Sequence, residues 1–198
     1  MGRLITLLRR RGLAPGTRLL YDTFTDANGT LLPAHTMDTG PGWTQLTAGG
    51  SIQGNRFSGN ASGECAYSAE AGAANVVATA VFNVVSLDAN HGPGLILRAS
   101  NKDNWWLCMP TGDGNHYLYE QNAGTYTVRA SGTWSADLAD HTLTATATDT
   151  TVTSRVDAGT PISYGSAALN QTVTRHGLRL YSSGGIGAAT LDTLEVTS

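Results

Sequence analysis

From Leu19 to the end of the chain, apolar and polar residues alternate in short runs, and most runs stop at Gly, Asn or Asp. Alternation with period two is the mark of a strand that buries one face, and those three residue types supply the turns. The pattern predicts strands over 19–24, 43–46, 51–57, 64–70, 75–87, 94–100, 104–110, 116–121, 125–131, 141–148, 152–157, 177–181 and 190–197. The run 75–87 is the longest. Val76, Ala78, Ala80, Phe82 and Val84 alternate there with Val77, Thr79, Val81 and Asn83, so both faces are fairly apolar and a central strand is expected. Asn122-Ala123-Gly124 predicts a tight hairpin, because such a turn needs residues that tolerate φ > 0. Hairpins are also expected around Asn101-Lys102-Asp103 and Thr148-Asp149-Thr150. Only residues 3–11 could form a helix, and Gly12, Pro15 and Gly16 stop it. The predicted fold is all-β, an antiparallel β-sandwich of jelly-roll type over 19–198, with 1–18 as a basic N-terminal arm.

Composition supports strands over disorder. The 198-residue chain has 24 Gly and only 14% charged residues, yet keeps four Trp and seven Tyr. Disorder needs the reverse, low hydrophobicity with high charge. Charge is unevenly spread. Residues 1–18 carry five Arg and no acid, whereas the remainder has seven basic and fifteen acidic residues, a net −8. Leu4, Ile5, Leu7 and Leu8 are too apolar to stay in water comfortably, and Arg9, Arg10 and Arg11 make burial in an isolated domain costly. A docking arm reconciles the two, with its aliphatic residues in a neighbour's groove and its Arg residues on carboxylates at the rim. The acidic body argues against nucleic acid as the partner. No apolar run reaches the ~20 residues that span a bilayer, so no membrane partner is expected. Residues 4–8 are too short an apolar run for a secretion signal. Cys65 and Cys108 fall in predicted strands without a CxxC motif, which predicts two free, partly buried thiols, with one cross-strand disulfide as the alternative.

Several segments resemble the concanavalin A-like lectin/glucanase (laminin-G-like) jelly-roll superfamily. The opening Tyr21-Asp22-Thr23-Phe24-Thr25-Asp26-Ala27-Asn28-Gly29-Thr30-Leu31 with Gly42-Trp43-Thr44 looks like that of many bacterial and phage members. Gly94-Leu95-Ile96-Leu97-Arg98-Ala99-Ser100 with Asn104-Trp105-Trp106-Leu107 resembles their central hairpin. His176-Gly177-Leu178-Arg179-Leu180-Tyr181 and Asp192-Thr193-Leu194-Glu195-Val196 resemble the closing strands, the last of which returns beside the first. An opening of this kind behind a short Arg-rich arm is a form associated with phage tail and capsid proteins. The resemblance therefore implies a non-enzymatic virion structural protein, a tail or capsid-decorating component located in the virion. Its expected partners are other virion proteins or copies of itself, with a cell-surface glycan as a further ligand. The alternative is a carbohydrate-binding module.

Catalytic chemistry is not expected. Glucanases of the superfamily carry two Glu flanking an Asp on one strand, and none of Glu64, Glu70, Glu120 and Glu195 has that setting. Glu64 and Glu70 share a strand face but stand roughly 20 Å apart at ~3.3 Å per residue, too far for a glycosidase pair. There is no Gly-x-Ser-x-Gly, and the five His have no defined partner in sequence. No cofactor and no metal site are expected. Superfamily members hold a structural calcium, for which Asp22 and Asp192 are the candidates here, but turn-forming or solvated Asp is the reading the residues favour. The remaining signal is aromatic. Trp105 and Trp106 face opposite sides of one strand, so one is expected in the core and the other at a ligand or partner surface. Tyr117 and Tyr119 share a face nearby and, with the two Trp, form the predicted ligand-binding set, since flat aromatic faces stack on sugar rings.

Overall fold

A computed structural model describes residues 16–59, 63–89, 91–182 and 189–198. In chain order its strands are β1 (Arg18–Asp22), β2 (Thr44–Thr47), β3 (Ser51–Ile52), β4 (Phe57–Ser58), β5 (Gly63–Glu70), β6 (Val76–Val84), β7 (His91–Asn101) and β8 (Asn104–Pro110). They continue with β9 (Asn115–Asn122), β10 (Thr125–Thr133), β11 (Asp140–Thr148), β12 (Thr151–Val156), β13 (Ile162–Tyr164), β14 (Arg175–Ser182) and β15 (Ala189–Thr197). The described residues hold no α-helix and one 3₁₀ turn, Leu32–Ala34, set by Pro33. The predicted arm residues Leu4, Ile5, Leu7, Leu8, Arg9, Arg10 and Arg11 lie outside the described residues.

Two antiparallel sheets make the sandwich. The first runs β13-β12-β11-β6-β15-β4-β3, with β1 also paired to β15. The second runs β10-β9-β8-β7-β14-β5-β2. Strand β15 thus returns beside β1, Tyr21 opposite Glu195, as the resemblance implies. In the first sheet one face of each strand is apolar: Ala78, Ala80 and Phe82 on β6, Leu143 and Ala145 on β11, and Leu194 and Val196 on β15 are fully buried. They meet Leu95 and Leu97 of β7, Trp106 and Cys108 of β8, Leu118 of β9 and Leu178 of β14 in one core cluster. Small Ala side chains on central strands leave space that Phe82, Tyr67 and Trp106 fill, as close packing demands.

Most predicted strands are present, with shifted ends. The hairpin at Asn122-Ala123-Gly124 forms as expected, with φ of 49° at Ala123 and 78° at Gly124. The run 51–57 is not one strand. Gln53 and Arg56 exchange backbone hydrogen bonds and turn it into the β3–β4 hairpin, with Asn55 at φ 58°. Strand β6 is central as predicted but stops at Val84, leaving Val85 and Leu87 exposed. Its outward face is half-open, with Val77 37% exposed. The short β13 was not expected; it pairs with β12.

Candidate functional site

The site is built on the second sheet, on the face turned away from the core. Cross-strand register fixes which residues share that face: Glu64 lies opposite Tyr181, and Arg179 opposite Gly94. On the other side of β7, Ile96 pairs with Leu107, Leu107 with Tyr119, and Trp105 with Gln121, which in turn faces Tyr126 of β10. The outward residues of the central strands are apolar too. Ala66, Ile96, Ala99, Trp105, Leu107 and Met109 form a second buried cluster, roofed by the half-buried Leu46, Tyr119 and Tyr126. This face therefore carries an extra layer that no other element among the described residues covers.

Two glycines shape its centre. A Cβ at Gly94 would come within 2.6 Å of Leu107 Cδ1, and one at Gly92 within 2.5 Å of the Pro110 carbonyl oxygen. Without those side chains β8 closes on β7, and Arg179 and Tyr181 of β14 stand over a low floor. The result is a shallow cleft of about 280 Å³ lined by Ala89, Leu107, Met109, Tyr119, Tyr126, Arg179 and Tyr181. Tyr119 lies 5.3 Å from Tyr117 and 5.7 Å, edge-on, from Tyr126.

Polar groups under the cleft are tied together. Arg179 Nε donates to Glu64 Oε2 at 2.6 Å, and the Tyr126 hydroxyl donates to the same oxygen at 2.8 Å. Thr47 Oγ1 donates to Glu64 Oε1 at 3.3 Å. The guanidinium sits between the Tyr126 and Tyr181 rings, 5.6 and 5.1 Å from their centres. Burial pushes the Tyr126 and Tyr119 hydroxyls above their ordinary range, so both stay protonated and able to donate. Two buried polar atoms next to the cleft lack a hydrogen bond of ordinary geometry, Trp105 Nε1 and Gln121 Oε1.

The predicted binding set is placed as follows. Tyr117 and Tyr119 share the outward face of β9, and Tyr119 lines the cleft. Trp105 is on the same face, but beneath the tyrosines. The expectation of one surface Trp is corrected: both are fully buried. Trp106 packs in the inter-sheet core against Tyr164, and its Nε1 donates to the Leu169 carbonyl at 3.0 Å. Each Trp has a covered side because this strand has apolar layers on both faces. Sequence reasoning missed Tyr126, Arg179, Tyr181 and the glycine pair. The tight hairpin was the signal for Tyr126, since a two-residue turn fixes Gln121 opposite residue 126. Arg179 needed the strand order, which sequence alone does not supply.

Other candidates resolve into structure. Asp22 is fully buried, not solvated, and accepts from Phe24 N, Trp43 Nε1 and His35 Nε2 at 2.7, 2.6 and 2.9 Å. Asp192 sits at a bulge of β15, with Arg56 Nε at 3.5 Å. No group of three metal-ligating side chains occurs among the described residues. Cys65 and Cys108 are buried and free, and burial raises their thiols to about 11 and about 12. The five His, without visible partners in sequence, all have them: His35 and His141 each bridge two carboxylates, His91 meets Asp88, His116 meets Ser154 and His176 meets the Ala73 carbonyl.

No family model matches the chain, and no curated protein matches it in sequence. Solved structures do. The carbohydrate binding module CBM66 from Bacillus subtilis superposes with a TM-score of 0.64 at 13% identity, over 79% of this chain and 95% of that one. The GH43 BlXynB protein from Bacillus licheniformis gives 0.63 at 11% identity over 89% of this chain, which spans only 39% of that protein. The CBM2 module of the evolved Dit from Lactobacillus casei BL23 phage J-1 gives 0.59 at 8% identity, over 92% and 96%. At such identities the likeness establishes the fold alone, a jelly-roll β-sandwich.

Proposed function

We propose that the chain is a non-enzymatic glycan-binding module whose ligand lies across the outward face of the second sheet. One observation carries this reading: tyrosines line an open cleft over a buried apolar layer, with a guanidinium at its centre. Apolar rings pack on the C–H face of a sugar while their hydroxyls and the guanidinium bond its oxygens. The carbohydrate binding module among the similar structures supports it. A glycosidase needs two carboxyl groups ~5–9.5 Å apart across the scissile bond. No carboxylate among the described residues lines this cleft; Glu64 is taken up by Arg179 and Tyr126, and Glu120 faces the other side of β9 with Arg129 at 2.9 Å. The test is a glycan array followed by calorimetry on the full chain. Micromolar to millimolar binding that Tyr119→Ala weakens at least ten-fold is expected. Binding that Tyr119→Ala leaves unchanged, or an array without a hit, would sink the proposal.

A second reading, compatible with the first, makes this module a virion component docked by residues 1–18. The similar module of a phage Dit favours it. Removing residues 1–15 should then leave folding intact and abolish incorporation into particles. Normal incorporation of the shortened chain would end that reading.

A further inference from the structure

We infer that the cleft selects a sugar bearing a carboxylate, which pairs with the open edge of Arg179. This rests on the glycan-binding reading above and names the ligand class for the same site. Among the cleft-lining residues Arg179 is the one charged group; the others are Ala, Leu, Met and Tyr. Its side chain is only 8% exposed, so it has lost most of its water. A guanidinium carries five N–H donors in a rigid plane. Here Nε–H serves Glu64, and an Nη1–H meets the Met109 sulfur at 2.9 Å, a weak acceptor. The remaining donors have no acceptor among the described residues. A desolvated cation with spare donors is costly unless something completes its shell.

The geometry decides what completes it. Glu64 takes the Nε end and the Met109 sulfur one Nη1–H, which leaves the remaining Nη donors of a cleft-lining side chain for a ligand. The Tyr126 and Tyr181 rings flank the guanidinium, which limits approach to its plane. A planar carboxylate entering along that plane makes two parallel N–H···O bonds, the strongest pairing an arginine offers. The nearby Tyr119 hydroxyl, a donor lining the cleft, reinforces the preference for an acceptor, whereas the Tyr126 proton is already given to Glu64. A neutral sugar supplies hydroxyls that must also donate, and the cleft lining offers few acceptors for them.

The experiment is calorimetric titration of the full chain with paired probes: sialyllactose against lactose, and trigalacturonate against its methyl ester. Expected is at least ten-fold tighter binding of the acidic member of one pair, weakening as salt is raised. Arg179→Lys should bring the two members of that pair within about two-fold. Glu64→Gln removes the internal competitor for the guanidinium and should tighten binding of the acidic member several-fold relative to the neutral one. A purely structural role of the ion pair would not produce that gain. Should either variant fail to fold, the ester comparison and its salt dependence on the unaltered chain decide. Equal affinity for acidic and neutral members, or a preference that survives Arg179→Lys, overturns the inference and leaves the glycan-binding reading standing. No saccharide bound at all overturns both.

Discussion

The two outward faces of the sandwich are made by the same alternation and come out differently. On the first sheet the outward residues are mostly Thr and charge: Thr144 pairs across strands with Thr79 and Arg155, and Glu195 with Thr79. Those side chains are half-buried by their neighbours and otherwise wet, the ordinary finish of a solvated antiparallel face. On the second sheet the same positions hold Ile96, Trp105, Leu107 and Met109, fully or nearly buried with tyrosines above them. The contrast shows that the outward side of the second sheet is packed as a core layer, and the proposed ligand would lie on it. A buried apolar layer with no covering element is the informative feature, whereas scattered exposed apolar residues are not.

The strongest way to break this comparison is to cut into both layers. Trp106→Ala and Trp105→Ala should each cost ~3–5 kcal/mol, read from urea unfolding, because each indole is fully buried on its own side of β8. Trp106→Ala should cost the more, since it also orphans the Leu169 carbonyl. If Trp105→Ala costs less than ~1 kcal/mol, the outward cluster is not a core layer.

A smaller effect tests the inter-sheet side. Burial lowers His116 to about 4, with Nε2 2.7 Å from Ser154 Oγ across the sheets. A folded-state value below the ordinary 6.5 means its contribution is fully present above pH 6.5 and lost as pH falls toward 4, by roughly 3 kcal/mol. His35 and His141 run the other way. Burial pushes them down, but two carboxylates on each outweigh it, so their stabilisation is present below pH 6.5 and lost as pH rises through their raised values. The raised pair acts above pH 6.5 and the lowered groups below it. In that lower range His176, also lowered to about 4 by burial, adds to His116, so a difference measurement is needed to isolate His116. The stability gap between the unaltered chain and His116→Gln at pH 7 should shrink by roughly 3 kcal/mol at pH 4. A gap independent of pH would mean that His116 is not held neutral.

Sequence made the sandwich legible because period two and turn chemistry are local. The hairpin at Ala123-Gly124 could be anticipated on residues alone, whereas the return of β15 to β1 was implied only by the resemblance. What lay hidden depends on strand order. Trp105 and Trp106 were correctly set on opposite faces, but burial of both required knowing that β8 lies inside a sheet with β7 and β9 on its flanks. Arg179 looked like an ordinary outward residue of a closing strand; its placement beside Gly94 brings it to the cleft. The break at Gln53–Arg56 was missed because Gly54 and Asn55 sit inside an otherwise alternating run.

For binding, the faces should separate cleanly. Tyr119→Ala should weaken glycan binding at least ten-fold while costing on the order of 1 kcal/mol of stability, because its ring is half-exposed at the cleft. Thr144→Ala on the other face should leave binding unchanged and stability within about 0.5 kcal/mol. Titration of both variants with the best array ligand checks this, and a loss of binding in Thr144→Ala would move the site to the first sheet.

The smallest effect concerns two ion pairs of equal length. Arg18 Nε to Glu195 Oε1 and Arg179 Nε to Glu64 Oε2 are both 2.6 Å. Their surroundings differ: side-chain exposure is 50% and 37% in the first pair but 8% and 19% in the second. Coulomb attraction between exposed groups is screened by water and offset by the entropy of holding two long side chains, so Glu195→Ala should cost less than ~0.5 kcal/mol. Arg18 also keeps a partner after the change, since its guanidinium lies 4.1 Å over the Tyr21 ring. Glu64→Ala leaves a desolvated guanidinium with only a thioether, and its cost should be ~3 kcal/mol or more. Thermal or urea unfolding of the two Ala variants at moderate salt measures both. Equal losses would show that distance, and not burial, sets the worth of these pairs, and the distinction between a wet face and a ligand-ready face would fall with it.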